Sequence, residues 1–320
     1  MNTPAIKTAP FHAGELRAQH LAGIGMPNAA IRERMPEQHR SFFPLLRYAV
    51  IAALDREGRP LASIVTGPPG FISAPSDNTL HFARDAHWLA GTQSLLRAGQ
   101  PIGMLGIDLA TRRRNRANGV VMRCDDGVVQ VQVSQSFGNC PKYIQLREVV
   151  DASAKKPARP QAAQALAGLD ARAASLISAA DTFFVASGAS SVPESGLDVS
   201  HKGGRPGFIR VDGDTLTIPD FTGNRYFNTL GNLLLEPRAA LLFIDFLNGD
   251  VLQLQGTTEI LWHAEEASRP DGAERLWRFR VERGMRIEGA LPLRWEWKEW
   301  SPATERTGTW PANPGAAGVI

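Results

Sequence analysis

The sequence predicts a mainly β protein with a few helices, assembled from two copies of one domain. Strand-like apolar runs come in two series, one on each side of an Ala-, Lys- and Pro-rich stretch at 151–162. The phrase GPPGFI (67–72) returns as GRPGFI (204–209). The offset between the two, 207 − 70 = 137, then persists. Ser63 falls on Ser200, Asp77 on Asp214, Thr92 on Thr229, Leu96 on Leu233, Leu105 on Leu242, Asp108 on Asp245 and Gly119 on Gly256. Chance recurrence of Pro-Gly turns would not keep one register across a helix and three further strands. The pattern therefore reads as internal duplication.

Along the chain, residues 1–14 read as a loose arm, and 15–48 as mostly helical with breaks near Gly23–Pro27, Pro36 and Pro44. RYAVIAAL (47–54), PLASIVT (60–66) and TLHFA (79–83) are strands, with DREGR as a turn between the first two. Residues 86–98 read as a helix; IGMLGIDL (102–109) and the runs within 119–135 read as strands. The stretch 151–162 is a linker by composition. Residues 163–180 then read as helical. TFFVAS (182–187), LDVSHKG, PGFIRV, DTLTIPD, AALLFIDF (239–246) and DVLQLQGTTEILW (250–262) form the second strand series. GAERLWRFRVERG (272–284) reads as a helix, and the segment after Pro302 as a mobile or surface tail. The expected units are 1–150 (helices and first copy), the linker, 163–302 (second copy) and the tail 303–320. Pro-Gly ahead of an apolar run sets a sharp turn into a strand. Two such domains can pair as two subunits would, forming clefts lined by both copies.

Of 320 residues, 43% are hydrophobic and 21% charged, enough for a sizeable core. The 35 basic and 32 acidic residues leave only +3, which gives little support for nucleic acid or an anionic membrane as partner. A small anion needs only two or three local cations. Two cysteines, no zinc spacing, no signal pattern and no apolar run of membrane-spanning length predict a reduced, soluble, cytoplasmic protein without a metal site. No GxSxG, P-loop or GxGxxG occurs. TRRRNR (111–116) reads as a solvated hairpin tip, with closure over an anionic ligand as the alternative. The late tryptophans read as seals between helix and sheet, and Trp295 as the one that could contact a ligand.

Function is expected where the copies differ. The second reads SHKGGRPGF…TIPDFTGNRYFNTL; at its 137-offset positions the first has Val65 for Lys202 and His87-Trp88 for Asn224-Arg225. Gly223-Asn224 suits a helix entry with Asn as cap, placing Arg225 in a first turn that favours an anion. Lys202, on a neighbouring strand, adds a second cation, while a capped helix with a solvated Arg is the alternative. His201 alternates with Ser200 and Lys202 and points away from such a site.

The stretch 197–260 resembles the pyridoxamine 5′-phosphate oxidase-like family of FMN-binding split barrels. The likeness is carried by Ser200, Lys202-Gly203-Gly204, Pro206-Gly207-Phe208, Pro219-Asp220, Gly223-Asn224-Arg225, Asn228, Asn232, Pro237 and Leu241 to Phe243. NCPKYIQ (139–145) and LPLRWEW (291–297) are similar to segments of long, tandem members described as predicted flavin-nucleotide-binding proteins. The resemblance implies two tandem six-stranded antiparallel split barrels forming a pseudo-dimer, with FMN between them. It implies cofactor contacts from Ser200, Lys202, Pro219, Asp220, Asn224, Arg225 and Asn228, with Lys142 as the candidate from the first copy. It also implies a flavin-dependent oxidoreductase acting with a small-molecule substrate or an electron donor such as NAD(P)H, and possible homodimers. Arg225 is followed by Tyr226 where the family often has a second basic residue, and the first copy lacks the cations, so one flavin per chain is expected. No catalytic residue is implied. A non-catalytic flavin sensor and a haem-binding or haem-degrading split barrel are the alternative readings.

Overall fold

The computed structural model describes residues 10–25, 27–125, 127–151, 162–188, 196–265 and 269–311. Most of the expected linker, the start of the arm and the end of the tail lie outside these. The first half contains α1 (Ala13–Leu21), α2 (Glu37–Arg40), β1 (Tyr48–Leu54), β2 (Pro60–Thr66), β3 (Ile72–Ser76) and β4 (Thr79–Phe82). There follow β5 (His87–Trp88), β6 (Pro101–Asp108), β7 (Arg113–Asp125), β8 (Val128–Gly138) and β9 (Leu146–Asp151). The second half contains β10 (Gln164–Leu166), α3 (Ala171–Ala179), β11 (Thr182–Gly188), β12 (Leu197–Gly203), β13 (Arg210–Asp212) and β14 (Thr215–Phe221). It ends with α4 (Asn228–Leu235), β15 (Arg238–Ile244), β16 (Val251–Leu261), β17 (Ala273–Ile287), β18 (Leu293–Glu299) and α5 (Pro302–Glu305).

The two large antiparallel sheets repeat one topology. The first runs β3-β4-β8-β7-β6-β1-β2-β5; the second runs β13-β14-β17-β16-β15-β11-β12, with β10 added beside β17. The protein is thus mostly β with a few helices, in two tandem copies of the expected split-barrel class. The sheets hold eight and seven strands on their main paths rather than six, because short strands extend the edges. β18 pairs with β9, so the ends of the two copies form a small sheet of their own.

The offset of 137 has physical content. The Gly-Phe turns are built alike: a Cβ on Gly67 or Gly204 would lie 2.5 Å from the Phe71 or Phe208 ring. Gly70 and Gly207 have φ of 94° and 87°, a region open to glycine. Gly119 and Gly256 each sit at a bulge, Gly119 opposite β8 and Gly256 opposite β17. Ser63 and Thr92 share a hydroxyl hydrogen bond of 2.7 Å, and Thr229 donates to Ser200 at 2.9 Å.

The halves meet through a core of their own. Successive residues of β1 point to opposite faces, so Ala49, Ile51 and Ala53 pack inside the first copy while Tyr48, Val50 and Ala52 face the second. In β11, Phe183 and Val185 face inward, and Phe184 and Ala186 join the shared core. Burial on both faces explains why these strands read as unbroken apolar runs. The contact is reciprocal: Arg116 Nε donates to the Val199 carbonyl at 3.1 Å, and Gln253 Nε2, 137 residues on, donates to the Ala62 carbonyl at 2.6 Å. The same surface on two related bodies meets itself, as at a twofold dimer interface.

Several sequence-based elements are corrected. Residues 272–284 are not a helix but the start of β17. Trp277, Phe279 and Val281 are buried and Arg278, Arg280 and Glu282 exposed, a period of two. Residues 86–98 form β5 and a 3-10 segment broken by positive φ at Ala90 and Gly91. Residues 163–180 hold a short strand before α3, which begins where the Asp170 side chain caps the Ala173 N–H at 2.8 Å. Between 15 and 48, helix is confined to α1, α2 and a 3-10 turn at Phe43–Leu45, and α1 starts inside the expected arm. The tail is anchored as far as it is described: α5 buries Thr304, and Ser301 caps it.

Candidate functional site

One cleft is lined from both copies. β12 contributes Ser200, His201 and Lys202; β14 contributes Pro219 and Asp220; the loop before α4 contributes Asn224 and Arg225. Asn228 and Thr229 open α4, and Glu274 and Arg275 open β17. From the first copy come Arg114 and Arg116 of β7, with Asn139, Lys142 and Tyr143 beyond β8. The structure thus brings together all eight candidates named from the sequence.

Arg116 ties this cleft together. Besides the Val199 carbonyl, its guanidinium donates to Asn228 Oδ1 at 2.7 Å and to the Ser200 hydroxyl, and its Nε lies 3.3 Å from Asp198 Oδ1. Arg114 donates to the Cys140 carbonyl at 2.6 Å, but its buried Nε has no partner among the described residues. Burial, reinforced by Arg116, pulls the Arg114 guanidinium down to about 9. Across from them runs a chain of ion pairs. Asp220 holds Lys202 at 3.0 Å and Arg275 at 2.6 Å, while Glu274 holds Arg275 and Arg225, each at 2.9 Å. Six cationic side chains line the cleft against two carboxylates, Asp220 and Glu274. The arrangement favours an anion.

The helix entry differs from the expectation. Asn224 does not cap α4: its Oδ1 accepts from Tyr226 N at 3.1 Å and its Nδ2 donates to Asn139 Oδ1 at 2.8 Å. The residue before the helix is Phe227, without a side-chain cap. Arg225 precedes the helix rather than lying in its first turn. Arg225 and Phe227 have φ of 66° and 60°, positions costing about 1 kcal/mol or more each for residues with a Cβ. In this conformation Arg225 pairs with Glu274.

TRRRNR is not a solvated tip. Arg112 donates to Glu299 at 2.7 Å and to the Ile144 carbonyl at 2.9 Å, Arg113 lies over Phe42, and Arg114 and Arg116 enter the cleft. The R-x-R spacing was the available signal, since alternate strand residues share a face. Lys142 lines the cleft but is exposed, so the less accessible cations from the first copy are half-buried Arg114 and buried Arg116. His201 lines the cleft rather than avoiding it. Burial first, then Arg114, Arg147 and Lys202, hold its imidazole well below the usual range, and its Nε2 has no partner among the described residues. Trp295 is elsewhere, buried edge-on against Tyr48 and Phe246 in the shared core. At the equivalent corner of the first copy, Val65, Trp88, Gly91 and Gln253 replace Lys202, Arg225, Asn228 and Arg116, leaving it without these charges. Among the described residues there is no His, Cys, Asp and Glu cluster suited to a metal, and no helix is long and apolar enough to cross a membrane.

Helix α1 packs against α4. Gly14 and Gly231 let it cross α4 closely: a Cβ on Gly14 would lie 2.2 Å from the Gly231 carbonyl oxygen. This places buried Glu15 against Asn228, which donates to it, as does His12 N at 2.9 Å. Burial raises the Glu15 carboxyl to about 7, against the lowering effect of these two donors. The folded protein therefore keeps a proton that the unfolded chain releases near 4.5. The contribution of Glu15 to stability should be fully present below that pH, fall by on the order of 3 kcal/mol as pH rises to about 7, and level off above it. Glu15→Gln should flatten this limb in urea midpoints measured from pH 4.5 to 8; an unchanged slope would rule out Glu15 as its source.

No family model matches the chain, and no curated protein matches it in sequence. Among solved structures, the chain is similar to HupZ from Group A Streptococcus, at 18% identity and TM-score 0.27, covering 34% of this chain and 86% of that one. It is similar to a FAD-binding protein from Mesorhizobium loti at 12% identity and TM-score 0.27, covering 40% and 99%. A putative 5-nitroimidazole antibiotic resistance protein from Bacteroides thetaiotaomicron follows at 15% and 0.26, covering 43% and 93%. These likenesses are too slight to assign a function, which rests on the cleft.

Proposed function

We propose that the protein is an FMN-dependent oxidoreductase whose cleft holds the flavin phosphate. The observation that carries this reading is half-buried Arg114 and buried Arg116 of one copy facing Ser200, Lys202 and the start of α4 in the other, with the buried Arg114 Nε unpartnered among the described residues. Phosphate oxygens are the acceptors such a site lacks. The enclosed volume, about 110 Å³, is below the ~300 Å³ at which whole ligands of this size are enclosed, and suits the phosphate end alone. FMN would supply hydride or electron transfer. Arg116 and Arg275 are already held in place by Asp198, Asp220 and Glu274, so little side-chain freedom is lost on binding.

The first test is the absorption spectrum of the purified protein with identification of the released chromophore. A flavin spectrum reduced by NADH or NADPH supports the reading; flavin with no turnover from any donor leaves a sensor. A Soret band would favour haem, for which the neutral His201 with its unpartnered Nε2 is the candidate ligand. Arg225→Ala should weaken FMN retention tenfold or more, as loss of a charged hydrogen bond does. Arg113→Ala, over Phe42 and outside the cleft, should leave it unchanged. Equal retention by the two variants would remove Arg225 from the phosphate site.

A further inference from the structure

Beside the cleft lies an open groove of about 730 Å³ that the proposed function leaves unused. Arg205, Arg210, Arg269 and Arg306 line it with Trp310, against only two carboxylates, Asp271 and Glu305. None of the four arginines forms an ion pair among the described residues, unlike Arg116, Arg225 and Arg275 of the cleft. Arg205, Arg210 and Arg306 are exposed, and Arg269 Nε is buried without a partner among the described residues. The Trp310 ring is fixed in advance: its Nε1 donates to the Phe208 carbonyl at 2.9 Å and its backbone N–H to the Gly207 carbonyl at 3.2 Å. Arg210 lies over it at 4.4 Å. Unpaired guanidinium groups around a rigid, half-buried indole suit a ligand bearing both phosphate charge and a flat ring.

The groove and the cleft share a wall. Phe208, which anchors Trp310, also lines the cleft. Arg269 donates to the carbonyl of Glu274, whose side chain faces the cleft. We propose that this groove binds the adenine-nucleotide portion of a nicotinamide dinucleotide, a reading whose choice of ligand rests on the proposed flavin function. The four arginines meet the diphosphate, and Trp310 offers the surface on which a base stacks.

The test is calorimetric titration of the full chain with NADH, NADPH, ADP-ribose and inorganic pyrophosphate at low salt, with the bound-flavin spectrum recorded on the same samples. A dinucleotide and ADP-ribose should bind comparably. Arg205→Ala/Arg306→Ala should weaken both at least tenfold, as should Trp310→Leu, with flavin retention unchanged. The double variant replaces two exposed side chains and should fold as the parent does. Absence of ADP-ribose and dinucleotide binding in a chain that retains flavin overturns the groove proposal alone. So does binding indifferent to Arg205 and Arg306, or binding of pyrophosphate with neither ADP-ribose nor a dinucleotide. Arg306-dependent ADP-ribose binding by a chain that holds no flavin keeps the groove and defeats the flavin reading.

Discussion

Arg116→Ala should cost the protein about 3–5 kcal/mol of unfolding free energy, the range for removing one partner of a buried ion pair. The residue is 5% exposed, and its side chain joins β7 of the first copy to β12 and α4 of the second. Its loss leaves Asp198, 3% exposed, with only the Asn118 amide and the Ser200 hydroxyl among the described residues, and leaves the Val199 carbonyl without its cross-copy donor. Arg116→Gln should recover part of the loss, because Gln253 makes the equivalent bond to Ala62. On the proposed function it should not restore flavin retention, because the amide lacks the charge that would meet the phosphate. Urea unfolding of the three proteins, paired with their absorption spectra, separates the two roles. If Arg116→Ala unfolds at the parent's urea concentration, this contact does not hold the halves together.

Gly119→Ala and Gly256→Ala should each destabilise the fold by about 2–3 kcal/mol or more, at the upper end of overpacking costs. A Cβ at either position would lie 1.9 Å from a carbonyl oxygen, that of Gln132 or Arg280. These are backbone atoms of the paired strand, so no rotamer change relieves the clash and the bulge itself must open. Gly25→Ala, where nothing lies within 4 Å of the added carbon, should shift stability by less than about 0.5 kcal/mol. Comparable urea midpoints for all three variants would show that the two bulges tolerate a side chain.

How far the site was legible depended on which copy its residues came from. Ser200, Lys202, Asp220, Arg225 and Asn228 stand close together in the second copy, in a motif that read as a unit. Arg114 and Arg116 did not, because their partners lie far away in sequence; Ser200, for instance, is 84 residues from Arg116. A basic run before a strand looks the same whether water or another domain covers it. Glu15 was less visible still, being carried to Asn228, 213 residues away, by a helix crossing. The segment 272–284 was a misreading of a legible pattern. Its alternation of Trp277, Phe279 and Val281 with charged neighbours has the period of a strand, and helix-favouring composition masked it.

By itself the sequence determined that the chain holds two copies of a β domain, where their Pro-Gly turns fall, and that Lys202 and Arg225 of the second copy stand where the first has Val65 and Trp88. These depend on residues near one another in the chain: glycines where a Cβ cannot fit, alternation along a strand, a Pro-Gly turn before a phenylalanine. Only the tertiary structure decided that the first copy supplies guanidinium groups to the second, that Arg225 pairs with Glu274 before α4 begins, and that four arginines without an ion pair among the described residues surround Trp310. The reason is physical. Periodicity and turn chemistry act over a few residues, whereas charge is paired, buried or left free by whatever surface the fold brings against it.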